Sequence, residues 1–352
     1  KTDDGLYETF PFLREEPFLC VYAGPMVRKD WLDDLGLEVP RTVAEWENVL
    51  LRFKEEKGAE YPFSADKETF RLYEVLAGAY GTANGMFLDD EGRVKFGPVQ
   101  PEYKQYLETL HRWYTMGLLD RGFVNNDNAA VKVKILKGEV GMTVGTAGKD
   151  MGGYISAAKE TNAGFNIVPI PYPVLNPGEK AILGQRTPQV EANCFISSHC
   201  KKPEIAVKFL DYGYSPEGHM LYNFGIEGVS YTMQDGNPVY TEEIINNPDG
   251  LAFDESLVRF ARANYHGPFV QDARYIDQFY ALQQQKEAVE IWSDTEAQEH
   301  ILQIDKMTTG ENERYTEIFL HIQNYCDEMF YKFVMGQESL ERFDDYVDKV
   351  YA

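Results

Sequence analysis

Residues 28–50, RKDWLDDLGLEVPRTVAEWENVL, carry two helical rhythms of apolar and polar positions separated by a break at Pro40. The first predicts a short helix capped by Asp30 and stopped by Gly36, since a residue without Cβ suits the left-handed position after a helix. Val39, standing before proline, is pushed into extended conformation. Thr42 and Glu45 then have the spacing of a capping box, and Trp46, Val49, Leu50 and Phe53 form one apolar stripe. The unit is a helix-corner-helix scaffold with no catalytic group in it.

The same pattern extends along the chain. PFLCVYAGPMV (17–27) reads as one or two strands, and Phe70, Tyr73, Leu76, Ala77 and Tyr80 share a helix face. MFLDDEGRVKF (86–96) predicts a hairpin turning at Asp90-Glu91-Gly92. Pro101 opens a long helix with Tyr103, Tyr106, Leu107, Leu110, Trp113 and Tyr114 at the right spacing, closed by Gly117. AAVKVKILKGE reads as a helix, VGMTVG as a buried strand, and FNIVPIP and ANCFISS as strands. Pro203 and Ser215-Pro216 open two further helices. A polar stretch from Thr232 to Gly250 holds a small hairpin, and the tail from Tyr315 to Tyr351 is helical. Strands and helices alternate over the first 230 residues, which predicts an α/β architecture with a helix-rich C-terminal part.

Composition narrows the function classes. With 34 basic and 57 acidic residues in 352, the formal charge of -23 argues against nucleic acid and against an anionic membrane surface as partners. No apolar run reaches the length of a membrane-spanning helix. The opening KTDDGLYETF lacks the apolar core of a signal peptide, so the chain reads as cytoplasmic or as separated from its targeting part. Cys20, Cys194, Cys200 and Cys326 show no CxxC spacing and read as small buried hydrophobes. The 23 tyrosines suit ligands with an apolar face and a polar rim, sugars among them, and equally suit core edges.

Catalytic motifs are missing: no phosphate loop, GxGxxG, GxSxG or HExxH occurs, and the six histidines never pair at i,i+4. A calcium loop beginning at Asp89 would place Arg93 and Gln100 where oxygen ligands are needed, so neither metal nor cofactor is expected. Carboxylates are numerous enough to leave a glycosidase pair open, although their clusters read as solvated helix faces. VGTAGKDMGGY (144–154) is the most unusual loop. Its glycines allow a ligand to approach the backbone, with N–H groups available as donors; the alternative is a plain strand-to-helix connection.

Four segments in order carry a family resemblance: MVRKDWLDDLGLEVPRTVAEWENVLLRFKE, LKGEVGMTVGTAG, KKPEIAVKFLDYGYSPEGHMLYNFGIEGVSYTM and DEMFYKFVMGQESLERFDDYVDKV. Together they resemble the extracellular solute-binding proteins of ABC importers, family 1, and especially their lipoprotein-type oligosaccharide-binding members. The resemblance implies a periplasmic-binding-protein-like (type II) two-lobe α/β fold that binds a carbohydrate, an oligosaccharide above all, without chemical change. It implies an extracellular, membrane-anchored lipoprotein in the full-length form, working as a monomer with ABC permease subunits. A carbohydrate-active hydrolase and a sugar-sensing relative that does not transport are the alternatives. Against the family pattern, most of the N-terminal lobe is expected to be missing. Residues 1–167 and 245–352 are then the C-terminal-type lobe, and 168–244 the remainder of the other lobe with hinge crossings.

Carried over by position, the resemblance points to Glu68, Phe70 and Arg71 in the loop-helix segment, and to Lys149, Asp150 and Tyr154 in the glycine-rich loop. It adds Tyr22 near the hinge strand, Tyr231 after FGIEGVS and Tyr315 ahead of the C-terminal helix. Arg186 is a lone charge between strands, suited to gripping a carboxylate or a hydroxyl pair. Trp292 lies outside any clear apolar stripe and is expected to face ligand.

Overall fold

The computed structural model describes residues 9–159, 161–263, 266–302 and 309–352, apart from the side chains of Glu68, Phe70, Leu72, Ala192, Thr309 and Asn312. The chain begins with β1 (Phe10–Arg14) and β2 (Ala23–Arg28), followed by α1 (Lys29–Leu35), α2 (Val43–Glu56) and α3 (Lys67–Leu72). The hairpin β3 (Met86–Leu88) and β4 (Val94–Phe96) leads to α4 (Pro101–Met116), α5 (Asn128–Leu136), β5 (Met142–Thr146), α6 (Gly152–Ala158) and β6 (Ile167–Pro169). Next come β7 (Val190–Cys194), α7 (Pro203–Asp211), α8 (Pro216–Phe224) and the hairpin β8 (Tyr231–Gln234) and β9 (Asn237–Tyr240). Short helices α9 (Glu242–Ile245) and α10 (Phe253–Leu257) precede β10 (Val270–Gln271) and α11 (Ala273–Phe279). The chain finishes with α12 (Gln283–Ser293), α13 (Ala297–His300), α14 (Thr309–Val334) and α15 (Phe343–Tyr351).

Two compact units emerge, one from residues 1–20 with 187–281, the other from 21–186 with 282–352. These boundaries differ from those expected at 167/168 and 244/245. The cause is strand pairing at long range. β1 runs parallel to β10, Leu13 opposite Val270, and antiparallel to β7, Leu13 opposite Val190. That three-stranded sheet draws residues 10–14 and 245–281 into one unit. Its separate apolar cluster gathers Phe224, Tyr231, Tyr240, Ile244, Leu257 and Tyr275. The buried Asp272 carboxylate takes hydrogen bonds from His219 Nε2 at 2.9 Å and Arg274 Nε at 3.0 Å, while Asp272 N donates to Asn223 Oδ1 at 2.9 Å, fixing β10 against α8.

The larger unit is built around β2, which is antiparallel to β5 on one side and to β6 on the other. All six β2 residues are buried, so the strand lacks the polar-apolar alternation of a half-exposed one. Pro25 has no N–H to give, and its carbonyl accepts from both Ile170 N at 3.0 Å and Trp292 Nε1 at 3.1 Å. α12 brings Trp292, fully buried, onto this strand, so the indole expected to face ligand is part of the core. A Cβ on Gly24 would lie 2.6 Å from that ring, which explains the glycine.

The capping box forms as expected. Glu45 N donates to Thr42 Oγ1 at 3.2 Å and Thr42 N donates to Glu45 Oε2 at 2.9 Å. Trp46 then meets Phe63 edge-on at 5.8 Å, and Phe63 meets Trp113 of α4 at 6.3 Å. Glu47 joins α2 to α4 by accepting Trp113 Nε1 at 2.7 Å. Several local expectations shift. α1 starts without a side-chain cap, and Asp30 instead accepts Arg28 Nε at 2.8 Å. Residues 17–20 form a 3-10 turn rather than strand. The helix expected through Tyr80 stops at Leu72. Cys20 and Cys326 are buried as expected, but Cys194 and Cys200 are only half-buried. Among the described residues no helix is long and apolar enough to cross a membrane.

Replacing Gly24 with alanine forces either β2 or Trp292 to move. Gly24→Ala is expected to lower unfolding free energy by about 1–3 kcal/mol, the usual cost of overpacking, in a urea titration followed by tryptophan fluorescence. An unchanged midpoint would show that the strand and ring are not in close contact.

Candidate functional site

The larger unit concentrates half-exposed polar aromatics where the chain enters β2. Tyr22 N donates to Gln185 Oε1 at 2.7 Å, Ala23 N shares that oxygen at 3.1 Å, and Tyr22 O accepts Ala147 N at 2.9 Å. With the backbone held on both sides, the half-buried Tyr22 ring meets Tyr73 edge-on, centroids 6.1 Å apart and planes at 89°. The two side chains are also hydrogen-bonded. Burial pushes the Tyr73 phenol up, with Tyr22 and the nearby Asp150 and Asp66 carboxylates adding to it.

Tyr73 follows α3, whose first turn is held by Asp66 Oδ1 accepting Thr69 N at 3.0 Å. The third side of the cluster is the turn after β5. There the buried Asp150 carboxylate accepts Thr146 N at 2.7 Å and Thr146 Oγ1 at 2.9 Å, as the chain makes a wide π-type turn over Ala147–Met151 into α6. Tyr154 on α6 is enclosed. Burial, then Asp150 and Asp66, raise its phenol well above the ordinary value. Two glycines of this loop are required by packing. A Cβ at Gly145 would lie 2.9 Å from Asp150, and one at Gly152 would lie 2.6 Å from Gln285 Nε2. Two of the loop N–H groups are engaged within the protein, that of Ala147 on Tyr22 O and that of Asp150 on Thr146 Oγ1.

Of the sequence candidates, Tyr22, Asp150 and Tyr154 come together here, with Lys149 exposed beside Asp150. Arg186 follows Gln185, half-buried, and donates to Gln298 Oε1 at 3.2 Å. Arg71 is turned away, ion-paired with Asp327 and lying over the Phe330 ring at 5.2 Å. Tyr315 stacks on Phe319 along α14 at 4.8 Å. Tyr231 is buried in the core of the smaller unit, and Trp292 is enclosed as described. The side chains of Glu68 and Phe70 lie outside the described residues. Tyr73 and Asp66 were missed. Tyr73 sits at helical spacing from Phe70 and Tyr80, which assigns it to an apolar stripe, whereas the helix ends one residue before it.

That ending is enforced at Glu74, one of two non-glycine residues with positive φ among the described residues, at 51°. Its carboxylate turns inward and accepts Asn84 N at 2.9 and 3.0 Å and Asn84 Nδ2 at 2.9 Å. Asn84 in turn donates to Arg71 O at 3.1 Å and accepts the Tyr103 hydroxyl at 3.0 Å. Burial pushes the Glu74 carboxyl up to about 8, opposed by the Asn84 hydrogen bonds and the Arg71 charge. A carboxyl whose folded value exceeds its unfolded one binds its proton more tightly in the native state. Stability therefore falls as pH rises between the two values. Relative to Glu74→Gln, the native protein is expected to lose stability from about pH 4.5 to about pH 8 and to hold a constant difference above that. Chemical denaturation of both proteins across pH 5–9 checks this; parallel pH curves would contradict an inward-facing titrating carboxyl.

The model of the family described as bacterial extracellular solute-binding protein matches residues 1–220. Lipoprotein LipO of Bacillus subtilis is 24% identical over 98% of this chain and 67% of its own length. The fructooligosaccharide ABC transporter substrate-binding protein FusA of Streptococcus pneumoniae is 26% identical over 64% of this chain, and the match spans only 43% of FusA. Among solved structures, alginate-binding protein AlgQ2 without calcium ion superposes with a TM-score of 0.79 at 23% identity, covering 99% of this chain and 72% of that one. An HMO-binding solute-binding protein from Bifidobacterium longum infantis gives 0.78 at 20%, covering 99% and 74%. These likenesses give the fold, a type II periplasmic-binding-protein-like α/β fold, and with the family match over more than half of its residues the chain belongs to the bacterial extracellular solute-binding proteins.

Proposed function

We propose that this chain captures a neutral oligosaccharide for an ABC importer and releases it chemically unaltered. The observation that carries the reading is the family match over residues 1–220. The Tyr22–Tyr73 pair supplies the chemistry. Phenol faces pack against the apolar faces of pyranose or furanose rings, and phenol hydroxyls and carboxylates exchange hydrogen bonds with sugar hydroxyls. Relatives named for fructooligosaccharide, alginate and polygalacturonan binding span neutral and acidic cargo. The carboxylates of Asp66 and Asp150 act directly on Tyr73, which favours a neutral chain over a polyuronate by simple charge repulsion. Asp150 is engaged by Thr146, and Asp66 holds the start of α3. Neither pair of roles resembles a general acid facing a nucleophile across a scissile bond. In this reading the protein acts outside the cell as a lipid-anchored monomer, and its liganded form is recognised by permease subunits in the membrane.

The test is a thermal-shift screen with kestose, nystose, stachyose and oligogalacturonate, followed by calorimetry and chromatography of the recovered sugar. A true ligand stabilises the native state by mass action. At least one neutral oligosaccharide is expected to raise the melting temperature and to be recovered intact. Tyr22→Ala is expected to weaken binding about tenfold, the scale of one aromatic contact, with little change in unliganded stability. Sustained release of reducing sugar, or binding of oligogalacturonate alone, would overturn the reading.

A further inference from the structure

We propose that Glu74 is the positioning residue of the tyrosine platform: by gripping Asn84 it holds the left-handed turn that aims Tyr73 at Tyr22. This rests on the reading of that ring pair as the ligand surface.

A left-handed backbone is strained for a non-glycine residue and persists only where neighbouring contacts over-determine it. Here the over-determination is visible. Both Glu74 oxygens converge on Asn84, and Glu74 N donates to Arg71 O at 3.3 Å. Asn84 is itself tied to Arg71 O and to the Tyr103 hydroxyl. The turn therefore hangs between α3 and α4, and the residue before it is Tyr73. If Glu74 served only as a turn residue, glycine would do the same task without strain. A carboxylate at that φ is needed only if its grip matters.

The charged and titratable groups around this carboxyl come from several elements. Arg71 lies on α3, with Asp327 of α14 as its ion-pair partner; Tyr103 and Tyr106 come from α4, and Tyr172 from the segment after β6. All three of these tyrosine phenols are raised, with burial the leading cause. None of them loses its proton in the range where the carboxyl does. Ionisation of Glu74 is thus reported at Tyr73 as a single step.

The experiment follows Tyr73 directly, in protein carrying ring-13C tyrosine, with Tyr73→Phe used to assign its resonance. In the native protein that resonance is expected to move through one titration step centred near pH 8. In Glu74→Gly the step disappears and the resonance shifts, the melting temperature stays close to native, and affinity for the neutral oligosaccharide found above drops about tenfold through lost preorganisation. Glu74→Gln keeps one acceptor oxygen for Asn84. It is expected to leave the resonance near its native position without the titration, and it serves as the second variant if the glycine form does not fold. An unmoved Tyr73 resonance in Glu74→Gly, or a native titration step in Glu74→Gln, overturns the proposal. If no oligosaccharide binds the native protein, the ligand reading fails while the resonance still decides the role of Glu74.

Discussion

Everything in the larger unit is arranged around a strand that gives water nothing. β2 is buried along its whole length and hydrogen-bonded on both edges, and it tolerates a tryptophan pressed onto its backbone only because residue 24 has no side chain. Such a strand cannot slide or tilt without breaking two ladders and displacing the indole. The residue immediately ahead of it, Tyr22, inherits that rigidity, further secured by Gln185 and Ala147. In the proposed role, a surface positioned this way needs little ordering when its ligand arrives, and ordering is a principal cost of association.

Local signals in the sequence were legible where the physics is local. The Thr42–Glu45 box, the Gly36 and Gly117 stops in left-handed conformation and the Ser215 cap all depend on atoms within a few residues of one another. The unit boundaries were not legible in this way, because they follow from Leu13 meeting Val190 and Val270, partners far along the chain. Tyr73 failed for a related reason. Helical spacing places it with Phe70 and Tyr80, but a contact ten residues on, Glu74 to Asn84, ends the helix first. Trp292 shows the converse. The absence of a clear stripe suggested a ligand-facing residue, while a single close backbone neighbour placed it in the core.

The abundance of tyrosine has two origins that composition cannot separate. Many phenols work inside the protein: Tyr80 donates to Thr109 Oγ1, Tyr172 to Ala23 O, Tyr214 to Pro11 O and Tyr240 to Asn223 O. In each, an aromatic body fills space and a hydroxyl satisfies a polar atom that burial would otherwise strand. Tyr22 and Tyr73 instead stay half-exposed and face each other, beside the Asp150 and Asp66 carboxylates.

The interleaved make-up of the two units has a bearing on how the molecule comes into being. One unit cannot close its sheet until the strand at Val270 has been made, and the other takes α12 and α14 from beyond that strand. Vectorial synthesis therefore finishes neither unit before the strand at Val270 has emerged. Until then both units stay open, each waiting for a segment far along the chain from the one it must pair with.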